Sequence, residues 1–485
     1  MLDSYFRADC VARLSQVPRS GRIHFIGVGG IAMAQVAIEL TRRGYHVSGS
    51  DREYFEPTRT LLRAAPITLF SNFESSHLAD PPDLVVVGAA ASANNAEVKQ
   101  TAALQLPYTS LPQLLGELFP KEQERCLVVG TFGKSTTAAM VAHVLRSAGA
   151  DPSYFSGAIG QDGSLGIRVG AGRALVIEGD EYRSAFFAAK PKLATFSAQI
   201  AVMNAIEMDH ADIYRSFEQL LAVYDELVES LPDDGALICN LDNDCIRRRL
   251  EQWRSVCRAR IVTVGFCEDA DIRGTARRPI GRQQEFQINT STEQGLTVRL
   301  PVAGQMNSEN ALASAAAALQ LGIPLSRSAE FLANFVPLRR RLEVVSETGG
   351  LTIVDDFAHH PTAVRRTLRA LQECYPEKRI IAVFLPTAPT GKWDLFQAEY
   401  ADAFHGSCVV VIRRPELNWG DKGHRLLDTK RLCNDLSARG IEATAAADNR
   451  GLLTAIEHVR RPGDVIVLLS SGPVDEIKEA LTRAS

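Results

Sequence analysis

Lys134 and Ser135 stand side by side in the stretch Cys126 to Val144, CLVVGTFGKSTTAAMVAHV, directly after a turn containing two glycines. An ammonium and a hydroxyl at that spacing suit a polyphosphate: the ammonium neutralises the terminal phosphate, and the hydroxyl holds Mg²⁺. The surrounding elements must position them. Leu127 to Val129 read as a buried strand, Gly130-Thr131-Phe132-Gly133 as a tight turn, and Lys134-Ser135-Thr136-Thr137 as the opening of a helix. The N–H groups of such a turn and helix start lack intrahelical acceptors and are free to surround phosphate oxygens. The full pattern G-x-x-x-x-G-K-S/T would put a glycine where the chain has Val128, so the loop is the shorter G-x-x-G-K-S. A chance Gly-Lys-Ser at a helix start is the plain alternative, and the strand before and helix after count against it.

A second glycine turn lies upstream. The apolar strand RIHFI runs into Gly27-Val28-Gly29-Gly30-Ile31-Ala32, an apolar helix follows through Leu40, and a second strand, YHVSGS, ends at Asp51. This fits the dinucleotide fingerprint G-x-G-x-x-A with an acid about 20 residues on. The same physics serves any pyrophosphate, that of a UDP-sugar included, so the motif specifies a diphosphate and not nicotinamide. A ligand-free glycine turn is the bland alternative.

Downstream of the phosphate loop, the strand Ala174 to Ile177 ends in Glu178-Gly179-Asp180-Glu181, and Ile200 to Met203 ends in NAIEMDHADIY. Acids and a histidine just past strand C-termini occupy the ligand side of an open α/β sheet, where Glu178 and His210 could converge on Mg²⁺. Solvated carboxylates and a structural histidine are the ordinary alternatives. Residues 273–300 predict a β excursion, after which GQMNSEN leads into an alanine-rich helix. Asn307 or Asn310 there either caps the helix or reads an adenine edge. The segment VPLRRRLEVV is a second linker; its arginines read either as a solvated basic turn or as a source of one guanidinium for a transferring phosphoryl group.

With 485 residues the length suggests roughly three domains. We place them at 1–121, 122–336 and 337–485: a Rossmann-like unit, a central phosphate-loop ATPase unit and a second Rossmann-like α/β unit, all within the α/β class. A net charge of -4 gives no basic field for nucleic acid or an anionic membrane surface. The nine cysteines contain no C-x-x-C pair or Cys/His ligand spacing, which predicts reduced thiols in a cytoplasm. The N-terminus lacks a signal-peptide pattern, and no apolar run approaches the roughly 20 residues of a membrane helix.

Taken together, IHFIGVGGIAM with SGSD, VVGTFGKSTT, EGDEYRSAFF, NAIEMDHADIY, GQMNSENALA, RRRLE and DDFAHHPTA resemble, in order, the motifs of the Mur ligase family, the ATP-dependent amide-forming enzymes of peptidoglycan assembly. The resemblance covers nearly the whole chain. DEYxxAFF, DHADIY and DDFAHHPTA resemble the murein peptide ligase branch, which joins L-Ala-γ-D-Glu-meso-diaminopimelate to UDP-N-acetylmuramate; a close branch adds L-alanine alone. The resemblance implies ATP and Mg²⁺ as cofactors, with ATP held by Gly130, Thr131, Gly133, Lys134, Ser135, Thr136, Asn310, Arg341 and Asp356. It implies magnesium at Ser135, Glu178 and His210, the UDP-sugar at Gly27, Gly29, Gly30, Ser50 and Asp51, and catalysis by Lys134, Glu178, His210 and Arg341. The implied partners are UDP-N-acetylmuramate and a small peptide or amino acid, with no nucleic acid or membrane, for a monomer or weak homodimer. The chain departs from the family at Phe132, where histidine is usual, at Arg183, in FLPTAPTGK, which lacks an arginine, and in SSGPVDEI, which replaces a glycine-rich loop. These departures make a catalytically silent UDP-sugar-binding paralogue the competing expectation. An NAD oxidoreductase is a third, which would leave the phosphate loop unused.

Overall fold

The computed structural model describes residues 5–417, 421 and 423–483. Three sheets follow one another along the chain. The first is fully parallel, in the spatial order Ile67–Ser71, His46–Asp51, Arg22–Ile26, Leu84–Val87 and Tyr108–Ser110. Its strand order reverses beside Arg22–Ile26, the strand that delivers the first glycine turn, and such switch points open the crevice where α/β sheets take ligands.

The second sheet has ten strands, in the order Leu296–Leu300, Gln283–Asn289, Ile272–Ile280, Arg260–Gly265, Ala236–Asn240, Ile200–Met203, Glu124–Val129, Ala174–Glu178, Ser153–Ile159 and Leu165–Arg168. Its centre is parallel, and the expected β excursion is its antiparallel extension over residues 272–300. The central strands are mostly apolar, with polar residues confined to their ends, as befits strands covered on both faces. The third sheet runs Glu343–Thr348, Leu351–Asp356, Val465–Leu469, Ile380–Phe384, Val409–Arg413 and Glu442–Ala446, parallel except for its first pair.

Four helices position the site: α1 (Ile31–Arg42), α2 (Lys134–Ser147), α3 (Gln305–Gln320) and α4 (Pro361–Cys374). Pro361 occupies the first turn of α4, where its fixed φ and missing N–H cost nothing. Helix α3 corrects a capping expectation. Its N-cap is Gly304 at φ 90°, so Asn307 and Asn310 lie inside the helix, with Asn307 donating back to the Ala303 carbonyl.

Packing divides the molecule unevenly. One apolar cluster runs from Leu14 and Ile23 through Val36 and Phe155 to Trp253, joining the first sheet to one face of the second. The third sheet buries its two faces in clusters of its own. Its junction with the middle sheet carries many polar contacts, among them Arg366 to Glu309, Thr362 to Glu207 and Arg277 to Glu373. Among the described residues, no helix is long and apolar enough to cross a membrane.

Candidate active site between three sheets

A cavity of about 1180 Å³ lies where the three sheets meet. Into its wall the fold brings Gly27, Gly29, Gly30 and Asp51, then Thr131, Gly133, Lys134, Ser135, Glu178 and His210, and finally Arg341. These residues are separated by up to 314 positions in sequence, from Gly27 to Arg341, and meet in one space.

The phosphate loop is built by close approach. Gly130 sits at φ 130°, where a Cβ would stand 2.7 Å from the Ala205 carbonyl oxygen; Gly133 sits at φ 85°, where a Cβ would stand 2.6 Å from Asn310 Oδ1. Only glycine meets both demands. Thr131 is fixed from below: its N–H donates to the Ala205 carbonyl at 2.8 Å, its hydroxyl donates to the Glu207 carbonyl at 3.1 Å, and the Glu207 N–H donates back to that hydroxyl at 2.9 Å. Asn310 is buried, backs the loop against Gly133, and donates to Asn307 Oδ1 at 3.3 Å. Thr136, in the first turn of α2, is also buried.

Lys134 Nζ donates to the Gly130 carbonyl at 2.7 Å and pairs with Glu181 Oε2 at 2.9 Å. Burial pulls its ammonium down, but the carboxylates of Glu181, Asp180 and Glu178 prevail and hold it above the ordinary lysine value. Glu181 also accepts from the Tyr224 hydroxyl. Sequence reasoning passed over Glu181, since nothing in EGDEY marks which acid meets the lysine.

Ser135 Oγ donates to Glu178 Oε1 at 2.7 Å, and Glu178 Oε2 accepts from the Gly157 N–H at 2.7 Å. A serine hydroxyl and a carboxylate are hard oxygen donors, which suit Mg²⁺, an ion that takes few protein ligands and draws the rest from water and phosphate. Among the described residues, no group of three or more His, Cys, Asp or Glu could hold a metal ion by itself. His210 lines the same cavity at φ 52°, with its Nε2 3.9 Å from Asp209 Oδ2.

The first glycine turn uses the backbone more than side chains. Gly27 and Val28 N–H groups donate to the Ser50 carbonyl at 2.9 and 3.1 Å, and the Gly29 N–H donates to Asp51 Oδ2 at 2.9 Å. Burial raises the Asp51 carboxyl above the usual range, although the N–H donors of Arg52 and Gly29 oppose it. Ser50 requires a correction. Its side chain is fully buried and donates to Glu97, which also contacts His24 and His77, so only its carbonyl serves the turn.

The three linker arginines have separate fates. Arg339 pairs loosely with Glu343, while Arg340 is locked by Asp355 and by the Ser470 and Gly472 carbonyls. Arg341 lies over the Phe357 ring at 4.9 Å, makes no hydrogen bond among the described residues, and lines the cavity. Its neighbours Arg340 and Leu342 both hold positive φ, at 58° and 48°. Backbone held in that region needs anchors. Asp356 is one: its carboxylate accepts from Leu342 N–H at 2.7 Å, Ala358 N–H at 2.9 Å and the Thr367 hydroxyl at 3.2 Å. Asp356 is buried and through these bonds fixes the backbone beside Arg341.

Family models match the chain in three pieces: residues 22–122 the "Mur ligase family, catalytic domain", 128–318 the "Mur ligase middle domain", and 340–472 the "Mur ligase, glutamate ligase domain". A UDP-N-acetylmuramate–L-alanine ligase of Desulforapulum autotrophicum is 31% identical over 95% of this chain and 97% of its own. A UDP-N-acetylmuramate–L-alanyl-γ-D-glutamyl-meso-2,6-diaminoheptandioate ligase of Escherichia coli is 29% identical over 95% and 97%. The crystal structure of a murein peptide ligase from Psychrobacter arcticus is similar with a TM-score of 0.73 and 25% identity, over 96% of this chain and 98% of that one. The chain belongs to the Mur ligase family, the ATP-dependent ligases of peptidoglycan assembly.

Proposed function

We propose that the chain joins a peptide, L-Ala-γ-D-Glu-meso-diaminopimelate, to UDP-N-acetylmuramate in the cytoplasm, in peptidoglycan recycling. One observation carries the ligase reading: a single cavity holds the phosphate loop, the first glycine turn and Arg341 from three successive sheets. In this reading residues 1–121 take UDP-muramate through Gly27, Gly29, Gly30 and Asp51. Residues 122–336 take ATP through Gly130, Thr131, Gly133, Lys134, Ser135 and Thr136, with Asn310 behind the loop. Residues 337–485 supply Arg341 and receive the amine.

A carboxylate is a poor acylating agent, so the γ-phosphoryl group passes to the muramyl carboxylate, and the amine then displaces phosphate from the acyl phosphate. Lys134 and Arg341 neutralise the transferring group, and positioning supplies most of the rate. Ser135, Glu178 and His210 would hold Mg²⁺, which when bound screens the phosphate charge. Closure of the three sheets on bound substrates would exclude water, which otherwise hydrolyses the acyl phosphate.

A second reading, an L-alanine ligase, is favoured by relatives of that name at 31% identity. A panel of amines, scored by the mass of the UDP-linked product, decides between them. Amide formed from the tripeptide and not from L-alanine supports the peptide reading; turnover with L-alanine alone replaces it. ADP release that needs both UDP-muramate and an amine excludes a silent binding paralogue.

A further inference from the structure

Phe132 stands at the tip of the phosphate loop, between Thr131, which the middle sheet fixes, and Gly133, which opens α2. The side-chain contacts described for Phe132 come from the third sheet's side of the junction. The Arg366 guanidinium lies 5.3 Å from its ring centroid, and the His360 ring lies at 6.1 Å. Arg366 is itself clamped, donating to Glu309 Oε2 of α3 at 2.8 Å.

The residue before Phe132 is tied to the same helix. Glu207, whose backbone brackets the Thr131 hydroxyl, accepts from Thr362 Oγ1 at 2.6 Å and lies 3.6 Å from His360 Nδ1. Thr362 and Arg366 are four residues apart, so they share one face of α4. That face presses on the loop at two consecutive residues, through Glu207 at Thr131 and directly at Phe132. The middle sheet forms the base of the loop, and α4, which belongs to the third sheet, holds its tip.

We propose that Arg366 is a positioning residue, which through Phe132 locks the tip of the phosphate loop and makes nucleotide affinity depend on docking of the third domain. This rests on the reading of the loop as the ATP site. A guanidinium over an aromatic face at a partly desolvated junction is worth about 0.5–2 kcal/mol, or roughly 2- to 30-fold in binding. The phenyl ring at position 132 supplies the face over which Arg366 lies.

The test is calorimetric titration of the full chain with Mg-ADP and, separately, with UDP-muramate. Arg366→Ala and Phe132→Ala should each weaken Mg-ADP about tenfold, and the double variant should be no weaker than about twofold below either, because both remove one interaction. UDP-muramate affinity should be unchanged in all three. Single variants that bind Mg-ADP like the wild type, or effects that multiply in the double variant, overturn the proposal. Should Arg366→Ala lose both ligands together and so be unfolded, Phe132→Leu decides, since it keeps the bulk and removes the π face: undiminished Mg-ADP affinity refutes the coupling. A wild-type chain that binds no Mg-nucleotide brings down the ATP reading as well, whereas loss of the coupling alone leaves that reading standing.

Discussion

The two glycine turns start from the same backbone device and end as different sites. Each follows a buried parallel strand, opens a helix and holds a glycine at nearly the same positive φ, 87° at Gly27 and 85° at Gly133. Their surroundings differ. Around Gly133 the backbone and side chains crowd in, a buried ammonium and three carboxylates follow, and the third sheet presses on the tip. Around Gly27 an added Cβ would meet nothing within 4 Å, and the charged group that touches the turn is Asp51. Two strand-turn-helix units, in which Gly27 and Gly30 stand where Gly130 and Gly133 stand in the other, thus become a crowded site pairing an ammonium with carboxylates in one place and an open site backed by an anion in the other. Local sequence decides that an anion can bind; the neighbours decide which one.

Removing Lys134 should break this contrast most sharply. Lys134→Ala is expected to lower kcat by about 10²- to 10³-fold, the scale of one lost electrostatic contact to a developing charge. UDP-muramate binding, measured by calorimetry, should stay as in the wild type. Loss of both would mean that the two turns have been assigned to the wrong ligands.

Alanine at the two glycines of similar positive φ, Gly133 and Gly27, should come next. At Gly133 a methyl adds a clash with Asn310 to the cost of positive φ, about 2–5 kcal/mol together, and nucleotide binding should vanish. At Gly27 the space is open, so only the conformational cost of about 1–2 kcal/mol applies. Equal losses of stability in thermal melts would contradict the geometry.

Acid should separate the sites by a smaller margin. Burial raises the Asp51 carboxyl, so it takes up a proton at a higher pH than an ordinary aspartate. Its native value lies above its unfolded one, so this group adds least stability above both values and adds more as the pH falls. As a hydrogen-bond acceptor for ligand hydroxyls it weakens over the same fall. Lys134 is raised too, and its ammonium remains charged throughout that range. As the pH falls, UDP-muramate affinity should therefore decline earlier than an ordinary aspartate would make it, while Lys134 stays charged. Asp51→Asn should remove that early decline, and a profile identical to the wild type would show that another group governs it.

A modest effect on the reaction is expected at Thr131. Thr131→Val removes the reciprocal hydrogen bonds with the Glu207 backbone and leaves the Glu207 N–H without that acceptor, at about 1–3 kcal/mol of stability. The KM for ATP should rise several-fold with kcat little changed. A fall in kcat alone would show that the hydroxyl acts on the reaction and not on the loop.

Much of this was legible in the sequence because it is local. A strand, a glycine turn, a lysine and a serine close together in the chain place backbone N–H groups, a cation and a hydroxyl together with little help from elsewhere. The same holds for Gly27 to Gly30, and for Pro361 at the start of α4. What was not legible depends on direction. Ser50 and Asp51 are neighbours in a strand, where successive side chains point to opposite faces, and Ser50 turns into the core towards Glu97 while Asp51 meets the turn. In RRRLE, three arginines look alike and all three line the cavity; Asp355, Ser470 and Gly472 claim Arg340 and leave Arg341 without a hydrogen bond among the described residues. Glu181 was passed over for the same reason: a carboxylate's role is set by the donor that reaches it.

The sequence by itself determined that this chain builds two anion-binding turns on α/β sheets and carries the motifs of an ATP-dependent ligase, since those features rest on backbone conformation and residues close in the chain. Only the tertiary structure decided which side chains face the shared cavity, that Asp356 serves Arg341, and that α4 holds the tip of the phosphate loop. Those outcomes depend on contacts between residues far apart in the chain, such as Arg366 with Phe132, and no local pattern encodes the direction in which two distant side chains will meet.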